Sequence, residues 1–483
     1  MSRILVGPFN RVEGDLEVTL DTDADQVRSA RVNSPLYRGF EQIMLGHNPM
    51  DALVYTPRIC GICSVSQSVA CARALADLMQ VEMPENGQHC TNLVLANENM
   101  TDLLTHFYLF FMPDFARPVY ANEDWFERIE KRFKATKGDA TRVMLPARAD
   151  FLHLMGLLAG KWPHTLSLQP GGTTKPVEPQ ERIKLLTIIA GFRRFLETEL
   201  FGDDLQVIAS LTSVTELEQW RLQKPWYSSD FRAFLHLSEQ LNLQRLGRAT
   251  DQFLSYGTYP QSSGKVFKSG VYLGGEHLPL SSVAITEDVS HSWLEGGSKP
   301  RHPSVGITIP SLENEAGYSW CKSPRLNDQV VEVGALARQM INDHPLAHSL
   351  ILENGGNVHS RIVARLLELA IVVPKMEAWA KSIDPKAPFC NHAEMPDNGS
   401  GTGMIEAARG ALGHWLEVKK GKIHRYQIIA PTTWNFSPRD QQETPGALEQ
   451  ALAGTPIRQG ETEPVAVQHI VRSFDPCMAC TVH

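Results

Sequence analysis

Two Cys-x-x-Cys pairs stand at opposite ends of this 483-residue sequence. Cys60 and Cys63 lie in the stretch RICGIC, and Cys477 and Cys480 lie in DPCMACTVH. Four thiolates can saturate one site for soft or borderline metal ions, which would offset their crowded negative charge. A shared site requires a fold that brings together residues more than four hundred positions apart. No other feature of the sequence constrains the architecture as strongly.

Two other interpretations of the pairs stay open at this point. Paired Cys-x-x-Cys motifs commonly form a structural tetrahedral zinc site, although the pairs then usually lie within a few tens of residues of each other. A single pair can instead be a thioredoxin-like redox motif, which needs a strand-to-helix context in a βαβ unit. A shared metal site is the working hypothesis.

The composition is that of an ordinary globular protein, with 21% charged and 42% hydrophobic residues. A formal net charge of -8 argues against nucleic acid as a partner. The opening residues MSRILVGPFNRVEGD do not form a basic and apolar leader, and no apolar run reaches the roughly eighteen residues needed to span a bilayer. We therefore expect a cytoplasmic protein with no transmembrane segment.

The remaining cysteines do not indicate a second site. Eight cysteines in so long a chain do not make a disulfide scaffold. Four of them have no cluster spacing and are expected to be ordinary buried thiols: Cys71, Cys90, Cys321 and Cys390.

The apolar pattern predicts an α+β fold that is predominantly helical. Residues 3–33 alternate apolar and polar side chains and predict a small antiparallel sheet. Loops are expected at 134–141 and 169–178, and a short buried strand at IHRYQIIAP (423–431). Helical spacing is found at 41–53, 64–79, 93–111, 181–200, 331–341 and 358–383.

The two cysteine motifs must share one site, which favours a single interwoven domain over residues 1–483. Short apolar runs among Gly, Ser and Thr predict hairpins in a β-rich insertion around 254–304.

RICGIC and DPCMACTVH together resemble the paired signatures of the nickel-iron hydrogenase large subunit, and the likeness runs from Gly7 to His483. The stretches GPFNRVEGDLEV, YRGFEQI, CGICSVSQS, EAARGALGHW and SFDPCMACTVH most resemble the cytoplasmic regulatory, dihydrogen-sensing members. The resemblance implies the hydrogenase large-subunit fold, with a central bundle of long helices and small peripheral antiparallel sheets. It also implies an enzyme that oxidises dihydrogen reversibly to protons and electrons.

The resemblance implies a nickel-iron centre held by the four cysteines. Cys60 and Cys477 would be terminal ligands of nickel, and Cys63 and Cys480 would bridge nickel to an iron that carries carbon monoxide and cyanide. Two further residues match groups that hydrogen-bond the cyanides. These are Arg409, whose planar guanidinium stays charged, and Thr432 in PTTWNF. Without the resemblance, Arg409 would be a surface arginine before a glycine-rich turn, and Ala408 stands where members often have proline.

Carboxylates around the centre have implied roles too. Heterolytic cleavage of dihydrogen needs a base for the proton, and Glu13 matches the first proton-relay carboxylate beside Cys477. On its own, a glutamate next to Gly14 would be read as a solvated turn residue. Asp102 and Asp475 match the acidic groups that hold the arginine above the metals.

A second metal site, usually magnesium, is implied by Glu41, His483 and the backbone carbonyl of Ile428. Carboxylate and carbonyl oxygens with several waters suit Mg²⁺.

The sequence departs from many members at two positions. Gln67 and Asp15 both stand where histidine is frequent. Glutamine can donate a hydrogen bond to a cysteine sulfur but does not titrate near neutral pH. Gln67 fits the sensory and cytoplasmic uptake groups better than the periplasmic enzymes. Ile62 and Phe110 match bulky positions that narrow the gas tunnel of sensors, although such side chains are usually ordinary core.

The chain has no cysteine pattern for an iron-sulfur cluster beyond the four paired thiols. We therefore expect a heterodimer with an iron-sulfur small subunit that takes up the electrons, in a dimer or a higher oligomer. A sensor would also have a signalling histidine kinase as partner. Two alternatives are kept: an energy-conserving cytoplasmic uptake hydrogenase, and a non-catalytic scaffold with a structural zinc.

Overall fold

The computed structural model describes residues 2–23, 25–296, 299–458, 460–461 and 463–483. Its α-helices are α1 (Phe40–Ile43), α2 (Ala52–Tyr55), α3 (Ser64–Met79), α4 (Glu85–Thr105), α5 (Phe126–Phe133), α6 (Asp139–Ala159), α7 (Pro179–Phe195), α8 (Leu205–Ala209), α9 (Val214–Leu222), α10 (Asp230–Gln240), α11 (Ala335–Ile341), α12 (Pro345–Asn354), α13 (Val358–Ser382), α14 (Pro431–Asn435), α15 (Ala447–Leu452), α16 (Val465–Ser473) and α17 (Met478–Thr481). One π-helical segment, His106–Phe111, continues α4, and another, Leu196–Leu200, continues α7.

The strands form small antiparallel sheets. They are β1 (Ser2–Val6), β2 (Glu17–Asp23), β3 (Gln26–Asn33), β4 (Leu168–Gln169), β5 (Gly172–Thr173), β6 (Phe253–Ser255), β7 (Thr258–Gln261), β8 (Gly264–Phe267), β9 (Gly270–Leu273), β10 (Glu276–Leu278), β11 (Ile285–Asp288), β12 (Ser323–Leu326), β13 (Gly399–Ala407), β14 (Gly410–Lys419) and β15 (Lys422–Ile429). The strand orders are β1-β2-β3, β10-β9-β6 and β13-β14-β15, with two-stranded pairs β4-β5, β7-β8 and β11-β12. This arrangement confirms the predominantly helical α+β fold.

Two long helices, α4 and α13, pack against each other in the interior. Every residue of α4 from His89 to Thr105 is buried, including polar ones. A helix buried on all sides must pair its polar groups, because an unpaired buried group costs free energy. Asn97 donates to the Phe151 carbonyl and Asn99 donates to the Tyr259 hydroxyl. The same helix carries Asp102, which is likewise buried.

Strand β13 lies directly on α3 because two glycines face the helix. A Cβ at Gly401 would stand 2.1 Å from the Ala74 carbonyl oxygen, and one at Gly403 would stand 1.9 Å from the Ala70 carbonyl oxygen. No larger side chain fits that space. Since α3 begins immediately after Cys63, this contact fixes the first cysteine pair against the sheet β13-β14-β15.

The two ends of the described chain are joined by backbone hydrogen bonds. The Glu13 N–H donates to the Pro476 carbonyl at 3.4 Å, and the Met478 N–H donates to the Glu13 carbonyl at 2.7 Å. The Val27 N–H donates to the Thr455 carbonyl at 2.9 Å. A single interwoven domain over residues 1–483 stays a prediction, and these contacts support it.

Several predicted elements are confirmed. Helix α3 covers 64–79, α13 covers 358–382, and the predicted sheet over 3–33 is β1-β2-β3. The hairpins expected around 254–304 are present as β6 to β10. None of the helices among the described residues is long and apolar enough to cross a membrane.

Three boundaries were predicted wrongly. The helix expected at 41–53 is broken into short turns, and Gly46 has φ 78° between them. The helix expected at 331–341 begins only at Ala335, because the backbone of Glu332 pairs with strand β6 instead. The loop expected at 134–141 ends early, since α6 begins at Asp139.

Candidate metal centre

The four paired cysteines converge in the interior. Cys60, Cys63, Cys477 and Cys480 are all buried, and their sulfur atoms lie within 4.8 Å of one another. The Cys63 and Cys480 sulfurs are 2.7 Å apart, and those of Cys60 and Cys477 are 3.5 Å apart. The structure therefore brings both ends of the sequence to one point, as the motif spacing predicted.

Backbone geometry holds each cysteine in place. Cys63 precedes the first residue of α3, and its carbonyl accepts from the Gln67 N–H at 3.1 Å. Cys477 precedes α17, and its carbonyl accepts from the Thr481 hydroxyl at 2.8 Å. The Cys477 N–H donates to the Thr432 hydroxyl oxygen at 3.1 Å. Cys63 and Cys477 thus each stand directly before the first residue of a helix.

The electrostatics of the tetrad fit a bound cationic centre. Hydrogen bonds from neighbouring thiols, that of Cys477 first, lower the pKa of Cys60, while the pKa values of the other three thiols are raised. Without compensating cations the four sulfurs cannot all ionise so close together. Soft or borderline metal ions are the cations that four thiolates prefer.

Arg409 lies beside the tetrad and is anchored by two carboxylates. It occupies the turn between β13 and β14, where it is only 4% exposed. Its Nε donates to the Asp475 carbonyl at 2.9 Å, Nη2 donates to Asp475 Oδ1 at 3.1 Å, and Nη1 donates to Asp102 Oδ2. These bonds use three of its five N–H groups. The remaining two are free to face the cavity that Arg409 shares with the cysteines.

The turn itself requires a glycine after the arginine. Gly410 has φ 132°, and a Cβ there would stand 2.7 Å from the Gly334 nitrogen. The alternative interpretation of Arg409 as a surface arginine is wrong, because the turn before Gly410 is present but buried.

Two carboxylate oxygens at the site lack a partner. Asp102 Oδ1 and Asp475 Oδ2 are buried and accept no hydrogen bond within the described chain. Burial raises the pKa of Asp102, and Arg409 opposes that rise. Burial also acts to raise the pKa of Asp475, but Arg409, with smaller contributions from His106 and Arg365, outweighs burial and lowers that pKa. Orphan oxygens beside buried sulfurs are what a site built around a further group would show.

Glu13 lies next to the tetrad through its backbone, which bridges to Cys477. Burial, followed by the charge of Cys60, raises the pKa of its half-buried carboxyl, while Arg409 and Arg38 oppose the shift. A carboxyl with a raised pKa next to thiolates is suited to take up and release a proton.

Thr432 lines the same cavity as Arg409. Its hydroxyl oxygen accepts from Cys477, so its own hydrogen remains available as a donor. The cavity wall between the donors is made of small or apolar side chains, namely Ala407, Ala408, Leu412 and Pro431.

The three residues expected to bind magnesium also meet. His483 Nε2 lies 2.9 Å from the Ile428 carbonyl oxygen and 3.5 Å from Glu41 Oε1. Neighbouring donors around an octahedral Mg²⁺ with bonds of about 2.0–2.1 Å are about 3 Å apart, so the 2.9 Å distance matches such an ion and the 3.5 Å distance would have to shorten. Burial opposes ionisation of Glu41, but Lys322 and His483 outweigh it and bring the pKa to about 2.

Lys322 was not found by sequence reasoning, although it reaches this second site. Its Nζ lies 3.0 Å from Glu41 Oε1, 3.0 Å from Glu287 Oε1 and 2.8 Å from Gln427 Oε1. Lys322 belongs to no sequence motif, so the sequence alone gives no indication of this contact.

Gln67 takes part in a buried chain of hydrogen bonds. Its side-chain nitrogen lies 3.9 Å from the Cys480 sulfur, and its oxygen lies 2.8 Å from His414 Nε2. His414 Nδ1 lies 2.9 Å from the Tyr426 hydroxyl. Gln67 is thus held by a histidine from strand β14, which the sequence analysis did not single out.

Glu98 was missed as well, and it supports the first cysteine pair. Its carboxylate accepts from the backbone N–H groups of Val65 and Ser66, both at 2.8 Å, at the beginning of α3. An anionic acceptor satisfies the unpaired N–H groups at a helix N-terminus and complements its dipole. Glu98 and Asp102 stand four residues apart on α4, so one helix supports both Cys63 and Arg409.

Comparison with known proteins agrees with this geometry. The sequence model of the nickel-dependent hydrogenase family matches residues 38–133 and 143–483. The periplasmic [NiFeSe] hydrogenase large subunit of Desulfomicrobium baculatum is 30% identical over all of this chain and 95% of its own length. The hydrogenase-2 large chain of Escherichia coli (strain K12) is 26% identical over all of this chain and 97% of its own. A solved structure of the D. baculatum [NiFeSe] hydrogenase superposes with a TM-score of 0.85 at 27% identity, with all of both chains covered.

The fold and the four-cysteine site define a nickel-dependent oxidoreductase. The chain belongs to the nickel-dependent hydrogenase family, as a hydrogenase large subunit. The cysteine tetrad is its metal centre.

Proposed function

We propose that this chain is the catalytic large subunit of a nickel-iron hydrogenase that senses dihydrogen, cleaving it heterolytically and passing the electrons to an iron-sulfur small subunit. One observation carries the proposal: four buried sulfurs lie within 4.8 Å of one another, next to an arginine held by two carboxylates. When bound, the nickel-iron centre supplies the cleavage of dihydrogen. The residues around it hold the centre, shape its cavity and remove the proton.

Cys60 and Cys477 are proposed as terminal ligands of nickel, and Cys63 and Cys480 as bridges to iron. The shorter sulfur contact, 2.7 Å between Cys63 and Cys480, supports placing this pair on the shared side. Carbon monoxide and cyanide are proposed as the other iron ligands. The cavity offers them donors from Arg409 and Thr432 between apolar walls.

Glu13 is proposed as the base that receives the proton. Its raised pKa and its backbone contact with Cys477 support this role. Asp102 and Asp475 are proposed to fix Arg409, because without them the guanidinium would have no buried counter-charge. Arg409 then keeps two N–H groups directed at the cavity.

Magnesium is proposed at Glu41, the Ile428 carbonyl and His483. The donor spacing supports it, and the ion would tie α17 to strand β15. Metal analysis of the purified protein, with Glu41→Gln as the variant that should lose the ion, tests this site.

The electron partner is proposed to be an iron-sulfur small subunit in a heterodimer, or in a higher oligomer. Among the described residues, the cysteine tetrad is the only cysteine-rich cluster, so a cluster-bearing partner would supply the exit. The segment before the first cysteine pair exposes several large apolar side chains that such a partner would cover: Leu36, Ile43, Leu45 and Val54.

A sensory role is proposed on the bulky Ile62 and Phe110, and Gln67 fits both the sensory and the cytoplasmic uptake groups. The signalling partner would be a histidine kinase and the compartment the cytoplasm. An uptake role is the second candidate, because relatives such as the uptake hydrogenase large subunit of Azotobacter chroococcum mcd 1 are 27% identical. One relative is named as periplasmic, so the compartment needs a direct measurement by cell fractionation.

The decisive experiment combines metal analysis, infrared absorption and hydrogen-dependent dye reduction on the purified complex. We expect nickel, iron in excess of nickel because the small subunit's clusters also contain iron, and bands in the carbonyl and cyanide stretching region. Cys480→Ser should lose the nickel, the infrared bands and dye reduction. Cys71→Ser is the matched control, since Cys71 is equally buried but outside the tetrad. A single zinc with no infrared bands would support the structural-zinc scaffold instead.

The base is tested separately. Glu13→Gln should lower dye reduction at least tenfold while leaving the metal content and infrared bands in place, because the amide cannot take up a proton. Asp15→Asn is the control.

The rate of dye reduction by the wild-type complex separates the two proposed roles. Slow turnover would support a sensor, and fast turnover would support an uptake enzyme.

A further inference from the structure

A surface cluster of two histidines and one aspartate lies outside the hydrogenase site. His277, Asp343 and His348 each place one ligand atom within 4.8 Å of the others. His277 Nε2 lies 3.2 Å from Asp343 Oδ1, and His348 Nε2 lies 3.8 Å from the same oxygen. Donors around a tetrahedral zinc ion with bonds of about 2.0–2.2 Å are about 3.3–3.6 Å apart. Small side-chain rotations would therefore bring all three donors onto one ion.

Three separate elements supply the ligands. His277 lies in β10, His348 lies in the second turn of α12, and Asp343 lies in the tight connection between α11 and α12. Asp343 has φ 59°, and its N–H donates to the Met340 carbonyl at 3.1 Å. The aspartate is thus held by a hydrogen-bonded turn.

The two imidazole rings pack against each other and against Tyr272. The Tyr272 ring, opposite His277 in the β9-β10 pair, contacts both histidines, with centroid distances of 5.0 Å to His277 and 6.1 Å to His348. The two imidazoles are 5.3 Å apart. Burial, followed by the charge of His277, lowers the pKa of His348, and the charge of Asp343 opposes that shift.

One charged neighbour competes with a metal. Lys268 Nζ lies 3.3 Å from Asp343 Oδ2, so the ammonium faces one carboxylate oxygen and the histidines face the other. The cluster could be a plain ion pair between Lys268, Asp343 and protonated histidine. Two imidazoles that share one carboxylate oxygen favour a cation that both can ligate as neutral rings.

We propose that His277, Asp343 and His348 form a second, exposed site for a borderline divalent transition-metal ion such as Zn²⁺. Imidazole nitrogen and carboxylate oxygen are ligands that zinc accepts, and three protein ligands leave a position open to water or to a group from another molecule. The site shares no residue with the cysteine tetrad or with the residues proposed to bind magnesium.

The test is a Zn²⁺ titration of the purified complex after removal of loosely bound metal by dialysis, followed by calorimetry and by metal analysis. We expect the wild-type complex to bind one Zn²⁺ per chain, in addition to any zinc that it contains before the titration. His277→Gln and His348→Gln should each weaken this binding at least tenfold. Lys268→Met should strengthen it severalfold, because a nearby positive charge is removed.

His153→Gln is the matched control, because His153 pairs with Asp150 at 4.0 Å on the surface without a third ligand. It should leave zinc binding unchanged. Bound Co²⁺ should give visible absorption bands that the His277 and His348 variants lose, which separates ligation from an indirect effect. Zinc binding that is absent in the wild type, or equal in the wild type and both histidine variants, overturns the proposal. Hydrogen oxidation is not a readout here, so failure leaves the proposed function untouched.

Discussion

Arg409 illustrates how single side chains act in this molecule. The family motif identified it, and the structure shows three of its N–H groups committed to Asp102 and Asp475. The rigid fork of a guanidinium can hold two carboxylates and still present donors elsewhere, whereas an ammonium is a point charge with three donors.

We therefore expect Arg409→Lys to reduce hydrogen oxidation by about a hundredfold, in line with the loss of a fixed donor at a reacting centre. Nickel and iron content should stay near the wild-type value, because the cysteines are unchanged. Steady-state dye reduction and metal analysis on the same sample check both points. Arg73→Lys is the control, because Arg73 lies outside the cysteine site and makes a long hydrogen bond of 3.4 Å to the Met404 carbonyl. Full activity in Arg409→Lys would contradict the role.

His414 represents the residues that sequence reasoning missed. A lone histidine in a strand has no spacing partner, and its bonds to Gln67 and Tyr426 exist only once α3 and the sheet have packed. Lys322 and Glu98 were missed for the same reason. The cysteines, Arg409 and Glu13 were found because they stand in contiguous motifs.

His414→Leu should lower the thermal unfolding midpoint, because it leaves the buried Gln67 oxygen without its donor at a cost of about 1–3 kcal/mol. It should also shift the infrared bands, since Gln67 is free to turn its amide away from Cys480. Tyr426→Phe should lower the midpoint less and leave the bands in place, because it removes only the outer bond. Calorimetry measures the unfolding midpoints of the two variants, and infrared absorption measures their spectra. Identical spectra for the wild type and His414→Leu would rule out a role of His414 in orienting Gln67.

At the scale of elements, helices were easier to predict than the central sheet. Helices α3 and α13 have sustained helical spacing and were placed almost to the residue. Strands β13 and β14 were not predicted, because seven successive residues of β14, 410–416, are buried and the sequence does not alternate. A strand covered on both faces cannot be told from other apolar segments by periodicity.

Gly403 gives a prediction at this scale. Gly403→Ala should strongly destabilise the protein, because the new Cβ would stand 1.9 Å from the Ala70 carbonyl and push β13 away from α3. Gly156→Ala is the control, since a Cβ there meets nothing within 4 Å. The thermal unfolding midpoint and the soluble yield should both fall for Gly403→Ala, whereas for Gly156→Ala the midpoint should stay level or rise, because Gly156 lies inside α6 and alanine favours a helix more than glycine does. Equal unfolding midpoints for Gly403→Ala and the wild type would contradict the close packing of β13 on α3.

At the scale of the whole molecule, Asp114 connects distant parts of the chain. It is fully buried, and Arg472 Nη1 donates to both of its oxygens, at 2.9 and 2.8 Å. Arg11, from the N-terminal segment, also donates to it, and His469 Nδ1 lies 3.4 Å away. Burial opposes its ionisation, but Arg472, His469 and Arg11 outweigh burial and lower the pKa well below the usual range.

Asp114→Asn should cost about 3–5 kcal/mol, the usual result of breaking a buried ion pair by removing one partner. Because the folded-state pKa is lowered, the carboxylate contributes its stability above about pH 3.9, the ordinary value, and loses it as pH falls further. The unfolding midpoint of the wild type should therefore fall more steeply below pH 4 than that of the variant. Asp21→Asn is the control at an exposed pair and should change little. Parallel pH curves for wild type and Asp114→Asn would contradict this account.

The separation of the two cysteine pairs along the chain has a consequence for biosynthesis. At about 5–20 residues per second, a ribosome needs roughly 20–80 s to travel from the first pair to the second. During that interval Cys60 and Cys63 have no partners, and the nascent polypeptide must keep them reduced and accessible. The metal centre can therefore be completed only after the second pair has been synthesised, when nearly the whole chain is already present.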